Sequence, residues 1–260
     1  MQSPDQQDQY YEMRLEYMKD RMCLYRPFLR PAAAEALNSA VFGENFAGST
    51  DPSALSLLVM FCAITQPVRM LELGTFHGFG TMTIAEILAT NKRQGTLVTV
   101  EPIPEYQERA KEFISQAGLA STVQFVRGFS TDEAVLSVVE EQAPFDIIYI
   151  DSSHQFTTTL EELDLYLIER PLIRPGGLVF LHDITLELEN DPGVGPAVDK
   201  WIKRHPEYHY LPLSTKGIWP QPAGFGIIQT PIRHSLNDKA KGISFSCRIL
   251  ANLRKIAAKI

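Results

Sequence analysis

The sequence predicts an α/β fold, a doubly wound and mostly parallel sheet with a closing antiparallel strand. Three observations predict it. Short unbroken runs of Val, Ile and Leu recur at residues 96–100, 145–150 and 177–181, the pattern of strands buried on both faces. Segments with helical spacing of apolar residues stand between them, so successive strands are joined by right-handed crossovers. A turn carrying Gly74, Gly78 and Gly80 separates a strand that ends with Met70, Leu71 and Leu73 from an apolar helix over 81–88.

Each element follows in order. Residues 1–65 read as an N-terminal helical segment, with helices over 10–25, 31–41 and 53–63, the last opened by Ser49-Thr-Asp51-Pro52. This segment is expected to cap the sheet or cover a ligand. Residues 66–230 hold the sheet: after the glycine turn come a strand over 96–100, a helix over 104–117, a strand over 123–126 and a helix near 132–142. A strand over 145–150, a helix over 157–169 and a strand over 177–181 continue the alternation. Residues 187–196 are turn-rich, 197–204 a short helix, and 208–213 and 226–229 suit closing strands. Between those strands, residues 214–224 are expected to loop over the site, with Trp219 and Phe225 as its apolar wall, although Trp219 alternatively reads as simple packing.

A chain of 260 residues with 45% hydrophobic content supports one substantial core with terminal additions. Charged residues stud positions 1–22 and no later run reaches the length of a membrane span, so cytoplasmic residence is expected. Cys23, Cys62 and Cys247 are odd in number and far apart, which suits reduced structural thiols. The net charge of -7 argues against nucleic-acid binding. Residues 231–260 form a basic tail, with seven Lys or Arg against Asp238 alone. Ile249, Leu250, Leu253, Ile256 and Ile260 make one helical stripe there. Docking on its own subunit, on a neighbour in a homo-oligomer, or on a membrane surface or acidic partner are the readings it allows.

Ligands in such sheets sit beyond the carboxyl ends of the strands. The residues there are Glu72 and Gly74, then Glu101, Gly128 and Ser130, Asp151, and His182 with Asp183. The spacing Glu72-x-Gly74-x-x-x-Gly78 lets a ligand touch backbone. It differs from a pyrophosphate turn, because Phe76 stands where the second glycine belongs, and nicotinamide and flavin cofactors are disfavoured. Glu101, closing the second strand, is placed to accept both hydroxyls of a ribose.

With those residues in place, the stretch 67–229 resembles the class I S-adenosylmethionine-dependent methyltransferases. Leu71-Glu-Leu-Gly-Thr-Phe-His-Gly78 is similar to that family's first motif. The resemblance implies that Gly74 and Gly78 border the methionine part of the cofactor, with Glu72, Thr75 and Asp151 in the same binding set. Glu101 would hold the ribose, and Gly128-Phe-Ser130 would lie beside the adenine. The chain looks most like small-molecule O-methyltransferases, both the catechol type and the macrolide-sugar and cephalosporin-tailoring type with an Asp-x-x-His motif. Gly80 departs from the catechol type, which often carries a serine there that helps bind the methionine carboxylate, and Thr81 is the residue left to make that contact.

The acceptor end follows from Asp151-Ser-Ser-His154. An alcohol or phenol attacking a sulfonium methyl must lose its proton, and an imidazole can take it near pH 7, so His154 is the expected general base. In the sugar-modifying relatives a histidine serves as base, whereas the catechol type has lysine. Asp151, His182 and Asp183 are expected to converge and could hold magnesium, although His182 stands where metal-dependent relatives have Asp or Glu. Without metal, Asp183 would orient His154 or bind a substrate hydroxyl, and His182 would hydrogen-bond within the sheet edge. His77 is read as shaping the turn or touching cofactor; Glu161, Glu162, Asp164 and Glu169 as a solvated helix face; His205 and His209 as lacking an identifiable partner. The expected activity is O-methylation of a small molecule: a natural product, sugar or aromatic hydroxyl. A cofactor-binding protein without turnover, or a tailoring hydroxylase relative, are the alternatives, the latter without a redox-cofactor motif.

Overall fold

The apolar runs become strands whose successive side chains enter opposite layers. The computed structural model describes residues 29–42, 50, 52–186, 188–213 and 224–232. Helices α1 (Pro31–Phe42) and α2 (Pro52–Thr65) precede β1 (Arg69–Leu73), α3 (Phe79–Thr90), β2 (Thr96–Glu101), α4 (Pro104–Gln116) and β3 (Val123–Arg127). Next come α5 (Glu133–Glu140), β4 (Phe145–Ile150), α6 (Phe156–Asp164), β5 (Ile173–His182), α7 (Val194–Arg204), β6 (His209–Leu213) and β7 (Phe225–Gln229). The strands form one sheet in the order β3-β2-β1-β4-β5-β7-β6. β1 to β5 pair in parallel, and β7 runs antiparallel to both β5 and β6.

Period-two alternation divides the core. Met70, Leu97, Ile147, Tyr149, Phe180 and Ile227 face the layer that holds α2 and α3. Their neighbours Leu71, Val98, Ile148, Ile150, Val179 and Ile228 face the opposite layer with Val135, Leu163 and Trp201 of α5, α6 and α7. On the first layer, Glu86 of α3 is fully buried and takes three hydrogen bonds from Arg30: from its backbone N–H at 2.7 Å, Nε at 2.8 Å and Nη2 at 2.8 Å. That bidentate pair fixes the entry to α1 against α3. Cys62 of α2 lies in the same layer, and burial pushes its thiol up to about 12, so it stays protonated as a structural group.

Three elements depart from the sequence expectation. β5 begins at Ile173, because the Pro175-Gly-Gly177 stretch that reads as a break is absorbed as an irregularity in the register between Phe145↔Ile173 and Ile147↔Leu178. The expected helix over 157–169 stops as α-helix at Asp164 and continues as a π turn through Glu169. That wider turn keeps Tyr166 and Leu167 buried and lets the Tyr166 hydroxyl reach the Ser130 carbonyl at 2.8 Å. α7 starts at Val194, since Pro196 in a first turn forfeits no needed amide bond. Phe225 is fully buried against Phe180, with ring centroids 5.4 Å apart.

The expected helix over 10–25, the loop with Trp219, Cys23, Cys247 and the basic stripe lie outside the described residues. Among the described residues no helix is long and apolar enough to cross a membrane. Ile148 is wholly buried in the central strand β4, so Ile148→Ala is expected to lower stability by about 2–5 kcal/mol. Denaturant unfolding of the variant beside the parent protein measures it.

Candidate functional site

After β1 the chain turns toward β2, and after β4 toward β5, so a crevice opens between β1 and β4 at their carboxyl ends. Two glycines make it passable. Gly74 has φ +99°, and a Cβ on it would lie 2.1 Å from the carbonyl oxygen of Asp151. Gly78, at φ +83°, caps α3, and a Cβ there would lie 2.8 Å from Ala110 Cβ in α4. With no acidic residue in its first turn, α3 presents free amides and a partial positive charge to the crevice.

The crevice is a cavity of about 590 Å³, within the range of small-molecule sites. Glu72, Gly74, Thr75, Glu101, Ser130, Asp151 and His154 line it together, as the strand-end reading expects. Glu101 is nearly buried; its Oε2 accepts the Phe76 N–H at 2.8 Å and its Oε1 the Ile103 N–H at 3.0 Å, which leaves lone pairs on both oxygens. Phe76, His77 and Tyr106 form an aromatic wall with centroids 3.9 to 4.8 Å apart. His77 thus shapes the turn.

Thr81 departs from expectation. Its side chain is fully buried and absent from the cavity lining, because its hydroxyl donates to Glu72 Oε2 at 2.5 Å. Thr99 donates to the same oxygen at 2.6 Å and shares a 2.5 Å bond with Thr75. Burial nevertheless pushes the Glu72 carboxyl up to about 8, with Asp151 and Glu101 nearby acting in the same direction.

Glu162 is a second correction. Instead of standing on a solvated face, it is fully buried and accepts the Ser130 hydroxyl at 2.5 Å and the Ser152 hydroxyl at 2.9 Å. The amphipathic pattern of α6 gives no sign of it, since Glu161 beside it is exposed. Asp164 is half-buried, bonded by Trp201 Nε1 at 2.8 Å, and Glu169 remains exposed. His205 stacks on that Trp201, away from the crevice, with centroids 4.4 Å apart.

Asp151 Oδ2 accepts hydrogen bonds from Thr50 at 2.7 Å and from the Tyr149 hydroxyl at 2.9 Å. Neither partner stands out in the sequence; Thr50 arrives from a distant segment and Tyr149 reads only as a strand residue. Asp151 Oδ1 lies 3.2 Å from His182 Nδ1, which lies 3.2 Å from Asp183 Oδ2; that oxygen is 3.4 Å from His154 Nδ1. Burial opposes ionisation of Asp151, but the His182 and His154 imidazoles outweigh it and hold the carboxyl below the usual carboxylate range. Burial likewise opposes charge on His182, and Asp151 and Asp183 outweigh it, raising His182 well above its ordinary value. Phe76, His154 and Asp183 all carry positive φ (48°, 58° and 57°), so three backbone positions around the crevice are strained.

The cluster of Asp151, His182 and Asp183 has the dimensions of a metal site, with one ligand atom from each within 4.8 Å of the others. The His182 contacts are close, but they lack hydrogen-bond direction, and both of its ring nitrogens are buried without a hydrogen-bond partner among the described residues. Such an orphaned nitrogen between two carboxylates fits a divalent cation.

Residues 71–184 match a family described as a methyltransferase domain. A catechol O-methyltransferase of Niastella koreensis is 32% identical over 153 residues, covering 59% of this chain and 66% of that one. An O-methyltransferase of Aspergillus hancockii is 28% identical over 134 residues, 52% of this chain and 50% of its own. The chain therefore spans between half and two thirds of the length of these two relatives. A crystal structure of an O-methyltransferase from Bacillus cereus in complex with SAH shares the fold, with TM-score 0.64 and 24% identity over 77% of this chain and 91% of that one. Residues 71–184 thus match a methyltransferase domain, and the chain is similar to O-methyltransferases in sequence and in fold.

The raised carboxyl of Glu72 generates a stability prediction. Between its unfolded value near 4.5 and its folded value of about 8, the native state binds the extra proton, so its contribution to stability falls as pH rises through that window. Glu72→Gln carries no such proton. Its stability relative to the parent protein is expected to rise from about pH 5 to about pH 8 in denaturant titrations; a pH-independent difference contradicts the raised value.

Proposed function

We propose that the protein transfers the methyl group of S-adenosylmethionine to a hydroxyl of a small molecule, with His154 as general base. The observation that carries this reading is that one cavity is lined by Gly74, Glu101 and Ser130 together with Asp151 and His154. A cofactor with its amino-acid part over Gly74 would present its carboxylate to the amides of α3, its ribose to Glu101 and its adenine to Ser130. The acids Glu101 and Asp151 beside the cavity suit a ligand bearing a sulfonium and an ammonium.

In the reaction the acceptor oxygen forms a bond to the methyl carbon as the carbon–sulfur bond breaks, and S-adenosylhomocysteine leaves. The hydroxyl proton passes to His154. Asp183, 3.4 Å from His154 Nδ1, orients the ring and leaves Nε2 to receive that proton. His154, at φ +58° in the loop after β4, lines the cavity. Asp151, His182 and Asp183 would hold a divalent ion such as magnesium, which would supply a Lewis acid that fixes the acceptor oxygen and lowers its pKa. The partner is a small molecule with a sugar, polyketide or aromatic hydroxyl, and cytoplasmic residence accompanies the reading.

His154→Ala is expected to cut methyl transfer by about 10²–10⁴-fold while S-adenosylhomocysteine affinity, read by calorimetry, stays nearly unchanged. Glu101→Ala is expected to weaken that affinity by about tenfold or more. Equal turnover in the His154 variant would sink the base assignment. For the cation, a chelator is expected to abolish turnover and added magnesium to restore it; indifference to both rules out the Asp151, His182 and Asp183 site.

A further inference from the structure

A carboxyl group with no solvent exposure must be answered by donors, and Glu162 is answered by the two serines of the cavity. Ser130 follows β3 and Ser152 follows β4, so Glu162 of α6 gathers two strand ends behind one wall. The Tyr166 hydroxyl, four residues on, holds the same loop by donating to the Ser130 carbonyl. A serine hydroxyl has one proton and two lone pairs. Here both protons turn back to Glu162, at 2.5 Å and 2.9 Å, so toward the cavity each oxygen offers lone pairs only.

We propose that Glu162 is a positioning residue that makes the Ser130 end of the cavity an acceptor-only edge, selecting a purine that bears an exocyclic amine over its 6-oxo counterpart. The inference rests on the reading of the cavity as the S-adenosylmethionine site. At the 6-position an amino group brings protons to such an edge and is satisfied by it, whereas a 6-oxo purine carries its proton one atom away, on N1, and meets lone pair with lone pair at O6. The carboxylate holds both hydroxyl protons only while it is ionised. Burial raises Glu162 to about 7 against the two serine donors that lower it, with Glu161 nearby also raising it, so the edge is fully set above that value.

The test compares binding of S-adenosylhomocysteine and S-inosylhomocysteine by calorimetry at about pH 8, in the full chain and in two variants. The unsubstituted protein is expected to prefer the adenine compound by about tenfold or more. In Glu162→Gln the amide donates to one serine and frees that hydroxyl proton for the cavity, so the preference is expected to shrink to about threefold or less. Ser130→Ala, which keeps the carboxylate and serves if the glutamine variant does not fold, is expected to shrink it as well. A lower melting temperature with the preference intact in the folded variants would reduce Glu162 to a structural tie and overturn the proposal. Equal binding of both purines by the unsubstituted protein would overturn it too. Absence of S-adenosylhomocysteine binding would defeat the cofactor reading itself, an outcome distinct from binding with an unchanged preference.

Discussion

Everything at the site depends on how closely β1 and β4 part company. The Asp151 amide donates to the Leu73 carbonyl at 2.8 Å, the last rung of the pairing, and the residue after β1 lies directly against the Asp151 carbonyl. Only a residue without a Cβ passes there, and it must take a positive φ. Gly74 meets both demands. The consequence is that the turn leading to α3 and the loop carrying His154 begin within touching distance, so ligand groups held by one are delivered to the other. Substitution at Gly74 would therefore disturb both halves of the site together.

That junction gathers negative charge, and the structure manages each acid differently. Glu101 is held by two backbone amides. Glu72 has two threonine donors on one oxygen, yet burial still keeps its carboxyl raised. Asp151 is held low by imidazoles and hydroxyls, with Tyr149 and Thr50 sharing one oxygen and His182 facing the other. Glu162 is spent on orienting serines. The result is a cavity whose acids have distinct tasks, with Glu101 and Asp151 complementary to a cationic donor.

The parallel sheet was legible because strands buried on both faces read as unbroken apolar runs, and the strand ends located Glu72, Glu101, Ser130, Asp151 and His154 without knowledge of their contacts. Where side-chain direction mattered, composition misled. Thr81 sits at the right distance from Gly78 to touch a ligand, but helical rotation turns it under the turn toward Glu72. Glu162 belongs to an acidic stretch, Glu161-Glu-Leu-Asp164, and only packing against Ser130 and Ser152 separates it from its exposed neighbour. Thr50 could not be found, since nothing local links it to Asp151 across 101 residues. Local pattern reports which face of an element is apolar; it does not report which polar group another segment brings to it.

The most direct measurement is a crystal structure of the protein with S-adenosylhomocysteine bound. The ligand is expected in the crevice over Gly74, with its ribose hydroxyls on Glu101, its base beside Ser130 and its sulfur facing Asp151 and His154. A ligand bound elsewhere, or bound there with its sulfur turned away from the Asp151 and His154 loop, would contradict it.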